Sequence, residues 1–347
     1  MTLGNTPQVP VEFKELGKGR SPLQDALREF RRNKVAVSGT IFIVLILLMA
    51  IFAPLLTPYG FETQNLRNNR AEPMTGYDVV VTFAEDKCHW YGTPLEWGCT
   101  LSMAGSDSLG RDLWSRMVYG TRVSIAVAIT AALVSLVIGS VYGTVSGYAG
   151  GRVDNIMMRI VDFLYAIPLL PIIILMTVYF KALARQGVST GIMGSIVVLN
   201  KATGGLLFVF IAIGALNWIG MSRLARGQVL SYKEKEFVEA ARAVGAGNNH
   251  IIFKHLLPNI IGPLLIAESL ALPGYIFLEA ILSFIGLGVD PPTPSWGAMI
   301  NEGLSGIRSK PHLVLLPGIA LSVLTLAFNF VGDGLRDAFD TRLRGRN

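Results

Sequence analysis

Six stretches of this chain are apolar over roughly the length of a bilayer crossing: residues 35–56, 123–149, 163–180, 204–222, 260–287 and 313–332. A hydrocarbon core of ~30 Å takes about 20 helical residues at 1.5 Å rise each, so each stretch predicts one spanning helix. Five of the six contain no Asp, Glu, Lys or Arg, and the fifth carries Glu268 and Glu279. Between them the pattern turns polar. The chain divides into an N-terminal arm (1–34), a first span (35–56), a long loop (57–115), a core (116–335) with a polar connector at 223–258, and a tail (336–347).

Composition agrees with this pattern: 51% of the 347 residues are hydrophobic and only 16% charged, too apolar for an ordinary soluble domain. The expectation is an all-α, multi-pass membrane protein. The polar first 34 residues, and Pro54 and Tyr59 after the first apolar run in place of a small-residue cleavage site, predict that the first span is retained. Of the 30 Lys and Arg, 19 fall in the N-terminal arm, 149–159, 223–258 and the tail. Positive residues stay inside, so both termini and the 223–258 connector are predicted to be cytoplasmic. The basic balance then reflects topology and anionic lipid, and no nucleic-acid partner is inferred.

Loop 57–115, placed outside, holds Cys88 and Cys99. An oxidising exterior allows a disulfide there, worth a little under ~3 kcal/mol in the chain-entropy model. Two free thiols, or a metal set of Cys88, His89 and Cys99, are the alternatives. The N-terminal Leu23, Leu27 and Phe30 lie at helical spacing among Arg28, Arg31, Arg32 and Lys34, which suits an interfacial helix or a solvated basic flank.

In the second span Gly139, Gly143 and Gly147 recur every fourth residue and form a groove that a second helix can approach, in this chain or a partner. Asp154, Arg159 and Asp162 follow as a surface charge network. In the fifth span Glu268 and Glu279 are eleven residues apart, within about 20° around a straight helix and roughly 16 Å along it. Pro273 and Gly274 between them are expected to kink it. An intramembrane carboxylate is costly unless it faces a cavity or a partner, so both are candidates for the substrate path, with a structural role as the alternative.

The connector holds the densest motif, EFVEAARAVGAGNNHIIFKHLLPNI at 236–260. Ser231 and Glu234 read as a capping box that starts a helix. Phe237, Ala241 and Val244 share a face, Ala240 and Ala241 keep the surface shallow, and Gly245 and Gly247 stop the helix. A second helix is expected from about residue 248 to Pro258. His250 and His255 are five apart, about 140° around an α-helix, and are not expected to share a metal. No metal site is predicted.

Glu239, Ala240 and Ala241, followed by Gly245, Leu257 and Pro258, resemble the EAA loop of ABC importer membrane subunits. GSDSLGRDLWSRMVYGTRVSIAVA (105–128), EAILSFIGLGVDPPTPSWGAMI (279–300) and GDGLRDAFDTRLR (332–344) narrow this to the oligopeptide and dipeptide permeases, the OppC/DppC-like branch. The resemblance covers about residues 20–345. It implies a type I ABC importer permease with six transmembrane helices, N-in and C-in, in the cytoplasmic (inner) membrane of a prokaryote.

The implied partners are a homologous second permease, two ABC ATPase subunits, an external substrate-binding protein, membrane lipid and a peptide substrate. The chain contains no G-x-x-x-x-G-K-[ST] loop, so it is read as a non-enzyme with no cofactor of its own, ATP and Mg being bound by the ATPase subunits. Residues 236–247 become the coupling helix. Glu239 anchors it, Ala240, Ala241 and Ala246 permit close docking, and Gly245 supplies the turn. Nickel complexes or another small solute are the alternative cargo. A secondary transporter using Glu268 is the rival class, and a membrane-embedded enzyme finds no nucleophile constellation in the spans.

Overall fold

A computed structural model of the chain describes residues 22–57, 60–64, 70, 72–73, 89–90, 93–94, 104–186, 191–202 and 205–339. In chain order its helices are α1 (Pro22–Arg32), α2 (Lys34–Ile51), α3 (Ala53–Leu56), α4 (Leu113–Ala149), α5 (Gly151–Ala166), α6 (Leu169–Arg185), α7 (Gly191–Ala202), α8 (Leu206–Tyr232), α9 (Glu236–Ala243), α10 (Asn248–His250), α11 (Leu257–Phe284), α12 (Trp296–Leu304) and α13 (His312–Phe339). A π-helical turn, Ile251–Leu256, joins α10 to α11. One two-residue antiparallel ribbon pairs His89–Trp90 with Thr93–Pro94. Cys88 and Cys99, and with them the disulfide expectation, lie outside the described residues.

Local chemistry sets the helix starts. The Asn33 side chain accepts from the Ala36 N–H (3.1 Å), Asp112 from Ser115 (2.7 Å) and the Ser295 hydroxyl from Ala298 (3.2 Å). Each side chain satisfies one of the amide donors that a helix start leaves open.

Five helical units are long and apolar enough to cross a membrane: α2, α4, α8, the continuous α10–α11 unit and α13. The start of α2 lies against the end of α13, with Gly39 facing the Ala327 carbonyl and Gly334 facing Ala36 and Phe30. The start of α2 and the end of α13 are therefore on one side, which requires an even number of crossings between them. The sixth is made by α5 and α6, which are bent 83° from one another.

This corrects the third predicted span. Phe163 belongs to the last turns of α5, and the third run continues in α6, so the crossing is a bent pair of helices. Pro168 has no N–H to donate and disfavours the helical region for the residue before it, and Ile167 is accordingly extended (φ −83°, ψ 130°). Other spans are longer than predicted: α4 starts ten residues earlier, at Leu113, and α8 runs ten residues on, to Tyr232. The segment between α6 and α8 contains α7.

Helix α4 forms the centre and packs on α8, α11 and α2. Gly139 faces Trp218 and Met221, Gly143 faces Ser222 and Ala225, and Gly147 faces Arg226 and Val229. The numbers rise together, so α4 and α8 run parallel. The outer surface is apolar, with Ile41, Leu45 and Ile51 on α2, Leu175 and Val178 on α6, and Leu315, Ile319 and Leu326 on α13 exposed. Lipid solvates such side chains as well as protein does, so close packing and internal polar bonds hold the bundle together.

Candidate functional site: the inner loop and the buried charges

Helix α9 does not start at a capping box. Ser231 lies in the last turn of α8, and Lys235, extended at φ −80° and ψ 148°, precedes α9 without a side-chain cap. The first turn is supported by Glu236 and Glu239, whose charges favour a helix N-terminus. At the other end, Ala246 N–H bonds to the Ala241 carbonyl (3.0 Å) and Gly245 N–H to that of Arg242 (2.9 Å), a Schellman closure with Gly245 at φ +84°. A Cβ on Gly245 would meet nothing within 4 Å. The backbone conformation alone demands glycine there.

The buried face of α9 is Val238 and Ala241. Val238 and Ala241 join Ala225 and Val229 of α8 and Ile251, Leu256 and Ile260 in one apolar cluster, with Ala246 against its edge. Phe237, Ala240 and Val244 point outward, and Val244 is 86% exposed. Glu239 is exposed and makes no ion pair with any described residue. The result is a short helix pinned by one face, with an apolar strip and a carboxylate on the other. Beneath it Tyr148 donates to Asn248 (3.0 Å) and carries Arg242 over its ring at 5.4 Å.

The charges near α5 also tie elements together. Asp154 accepts from Arg226 Nε and Nη2 on α8 (both 2.6 Å) and from Ser146 on α4 (2.6 Å), while Asp162 pairs with Arg223 (2.7 Å). These contacts fix the bent helix on the inner ends of α4 and α8.

Both intramembrane carboxylates are enclosed by hydroxyls. Glu268 is 5% exposed and accepts from Tyr275 Oη (2.7 Å) and Ser135 Oγ of α4 (3.3 Å). Glu279 is 1% exposed and accepts from Ser283 (2.6 Å) and Ser124 of α4 (3.1 Å). Helix α11 runs through Pro263 and Pro273 without a break, and in this conformation both carboxylates are turned toward α4.

The outer side holds a cluster that was not singled out from the sequence. Asp107 in the loop before α4 accepts from Arg111 Nε (2.6 Å), from Arg116 Nη1 and from the backbone N–H groups of Leu109 (2.8 Å) and Arg111 (2.9 Å). Arg111 and Arg116 also reach Glu302 of α12, at 2.8 and 2.7 Å. Asp107, Arg111 and Arg116 are each no more than 5% exposed. Burial alone would raise the Asp107 carboxyl, but Arg116 and Arg111 beside it and the two N–H groups hold it below the usual aspartate range. All but Glu302 lie in GSDSLGRDLWSR, where the crowding of two arginines and two aspartates within ten residues was the available signal.

Six crossings around buried carboxylates, with a pinned inner helix whose outer strip is exposed among the described residues, define a multi-pass membrane protein. Residues 136–345 match the family described as "Binding-protein-dependent transport system inner membrane component", and residues 21–73 match "N-terminal TM domain of oligopeptide transport permease C". The chain is 40% identical over 327 residues to the oligopeptide transport system permease protein OppC of Bacillus subtilis, covering 94% of this chain and 92% of that one. It is 37% identical to OppC of Escherichia coli K12 over 94% and 93%. It is 38% identical to the dipeptide transport system permease protein DppC of B. subtilis over 92% and 86%. The chain belongs to the binding-protein-dependent transport family of inner-membrane permeases, and it is a multi-pass protein of the cytoplasmic membrane.

Proposed function

We propose that this chain, with a second permease, forms the translocation path of an importer for di- or oligopeptides delivered by an external binding protein and driven by ATP hydrolysis in separate subunits. The observation that carries this reading is the pinned α9. An apolar strip of Phe237, Ala240 and Val244, an exposed Glu239 with no ion pair among the described residues and a glycine-closed end suit insertion into a cleft of an ATPase subunit. The names of its relatives support the peptide cargo. Closure of the ATPase pair then pushes on α9, and through the cluster below it on α8 and α11, biasing the spans between outward-open and inward-open arrangements.

Glu239→Lys reverses the charge offered to the cleft, and Gly245→Leu places a bulky residue at φ +84°, a conformation costing roughly 1–2 kcal/mol for an L-residue. Both variants are expected to abolish substrate-stimulated ATP hydrolysis by the assembled complex while leaving its amount in the membrane near normal. Full stimulation in both would remove α9 from the coupling role.

Glu268 is proposed to meet a substrate's amino group in a state where α11 has parted from Ser135. Glu268→Gln is then expected to slow uptake of free-amino peptides more than that of N-blocked ones. An equal loss for both would assign Glu268 to helix packing.

A further inference from the structure

His250 and His255 stand apart on an ideal α-helix, yet their imidazole centroids are 5.4 Å apart, with the rings inclined at 54°. The cause is the π-helical turn at Ile251–Leu256. Its hydrogen bonds run between residues five apart, as from Leu257 N–H to the Ile252 carbonyl, so side chains five apart come onto one face. The turn has a local origin. Pro258 offers no N–H, and in an unbroken α-helix its ring would crowd the Lys254 carbonyl. Asn259 Nδ2 donates to the His255 carbonyl (2.6 Å). The five-residue spacing that argued against a shared ligand is thus the spacing that this turn brings together.

We propose that His250 and His255 form an open two-histidine site for a borderline divalent transition ion such as Zn²⁺, Ni²⁺ or Cu²⁺. Imidazole suits these ions, and metal–nitrogen bonds of ~2.0–2.1 Å at a tetrahedral angle place two ring centres about 5 Å apart. The centroid separation of 5.4 Å is close to that value. His250 is exposed and His255 half-buried, so an ion can enter from the inner aqueous side. Among the described residues no set of three His, Cys, Asp or Glu assembles. The chain therefore supplies two ligands and leaves the other positions to water or, if α9 docks as proposed, to a donor of the docked subunit. A bound ion would bridge residues 250 and 255 and lock the turn that links α9 to α11.

The test is Ni²⁺ binding to the chelator-stripped full-length chain, purified with a histidine-free tag and measured by equilibrium dialysis. One Ni²⁺ per chain is expected, with affinity at least tenfold weaker in His250→Ala, His255→Ala and the more conservative His255→Gln. The double variant His89→Ala/His312→Ala, which removes the chain's other histidines, should bind as the parent does. Unchanged affinity in the His250 and His255 variants, loss in the control, or no measurable binding by the parent would each overturn the site. No ATPase is present in this measurement, so its outcome is separable from that of the coupling reading.

Discussion

Gly143→Val is expected to yield almost no stably folded protein, whereas Gly220→Ala behaves as the parent. A Cβ at Gly143 would collide with the Ser222 carbonyl oxygen and lie 2.8 Å from Ala225 Cβ and 2.9 Å from the Arg226 nitrogen. Two of these three neighbours are backbone, so no rotamer change relieves the clash and α4 must move away from α8. The same separation opens the contacts at Gly139 and Gly147, where a Cβ would lie 2.6 Å from Met221 Cβ and 3.0 Å from the Arg226 carbonyl. Overpacking usually costs about 1–3 kcal/mol. In lipid, where close packing replaces the hydrophobic drive, an opened seam costs more of the total. A Cβ at Gly220 meets nothing within 4 Å, which makes it a matched control in the partner helix. Membrane yield and thermal unfolding in detergent give the readout. A near-parental midpoint for Gly143→Val would contradict the close α4–α8 seam.

Arg116→Leu is expected to loosen the outer face by about 3–5 kcal/mol, the usual loss when one partner of a buried ion pair is removed. Arg116 is 1% exposed and joins Asp107 to Glu302, which lies 186 residues further along the chain than Arg116. Without it Asp107 keeps Arg111 but loses half of its compensation, and α12 loses a tie to the start of α4. Arg116→Lys keeps the charge and loses the fork that reaches both carboxylates, so it too should be impaired. Adding Asp107→Leu to Arg116→Leu removes the stranded charge with its partner and should recover part of the loss. Hydrogen exchange over 296–304 reports the result, and parental protection in Arg116→Leu would show that α12 is held by other contacts.

The spans were legible because an apolar run of bilayer length has few other readings, and the glycines at 139, 143 and 147 because their period matches the helix. Breaks set by single residues were harder to read. Pro168 breaks the third run into two helices bent 83° from one another, although Phe163 to Phe180 is apolar throughout. The Ser231 capping box failed because α8 stays helical past the apolar run, which puts Ser231 in the last turn of α8. The 140° assigned to His250 and His255 presumed an α-helix where the structure has a π-helical turn. Glu302 lay too far along the chain for its pairing with Arg111 and Arg116 to be read without the fold. For α9 the motif located the loop, but the shared face of Phe237, Ala241 and Val244 did not show that Val238 is the residue buried beside Ala241.

The parallel seam between α4 and α8 has a mechanical corollary. At 37 residues α4 is a rod of ~55 Å, nearly twice the hydrocarbon thickness. Its inner half is fused along three glycines to the helix that leads into α9, and its outer tip carries the Arg116 cluster. Two helices in backbone contact over two turns cannot shear independently, so they pivot as one beam. A tilt applied at the inner end must reappear, reversed in direction, at the outer end, and the fulcrum is set by the packing of α11 against the middle of the rod, where Ser135 meets Glu268.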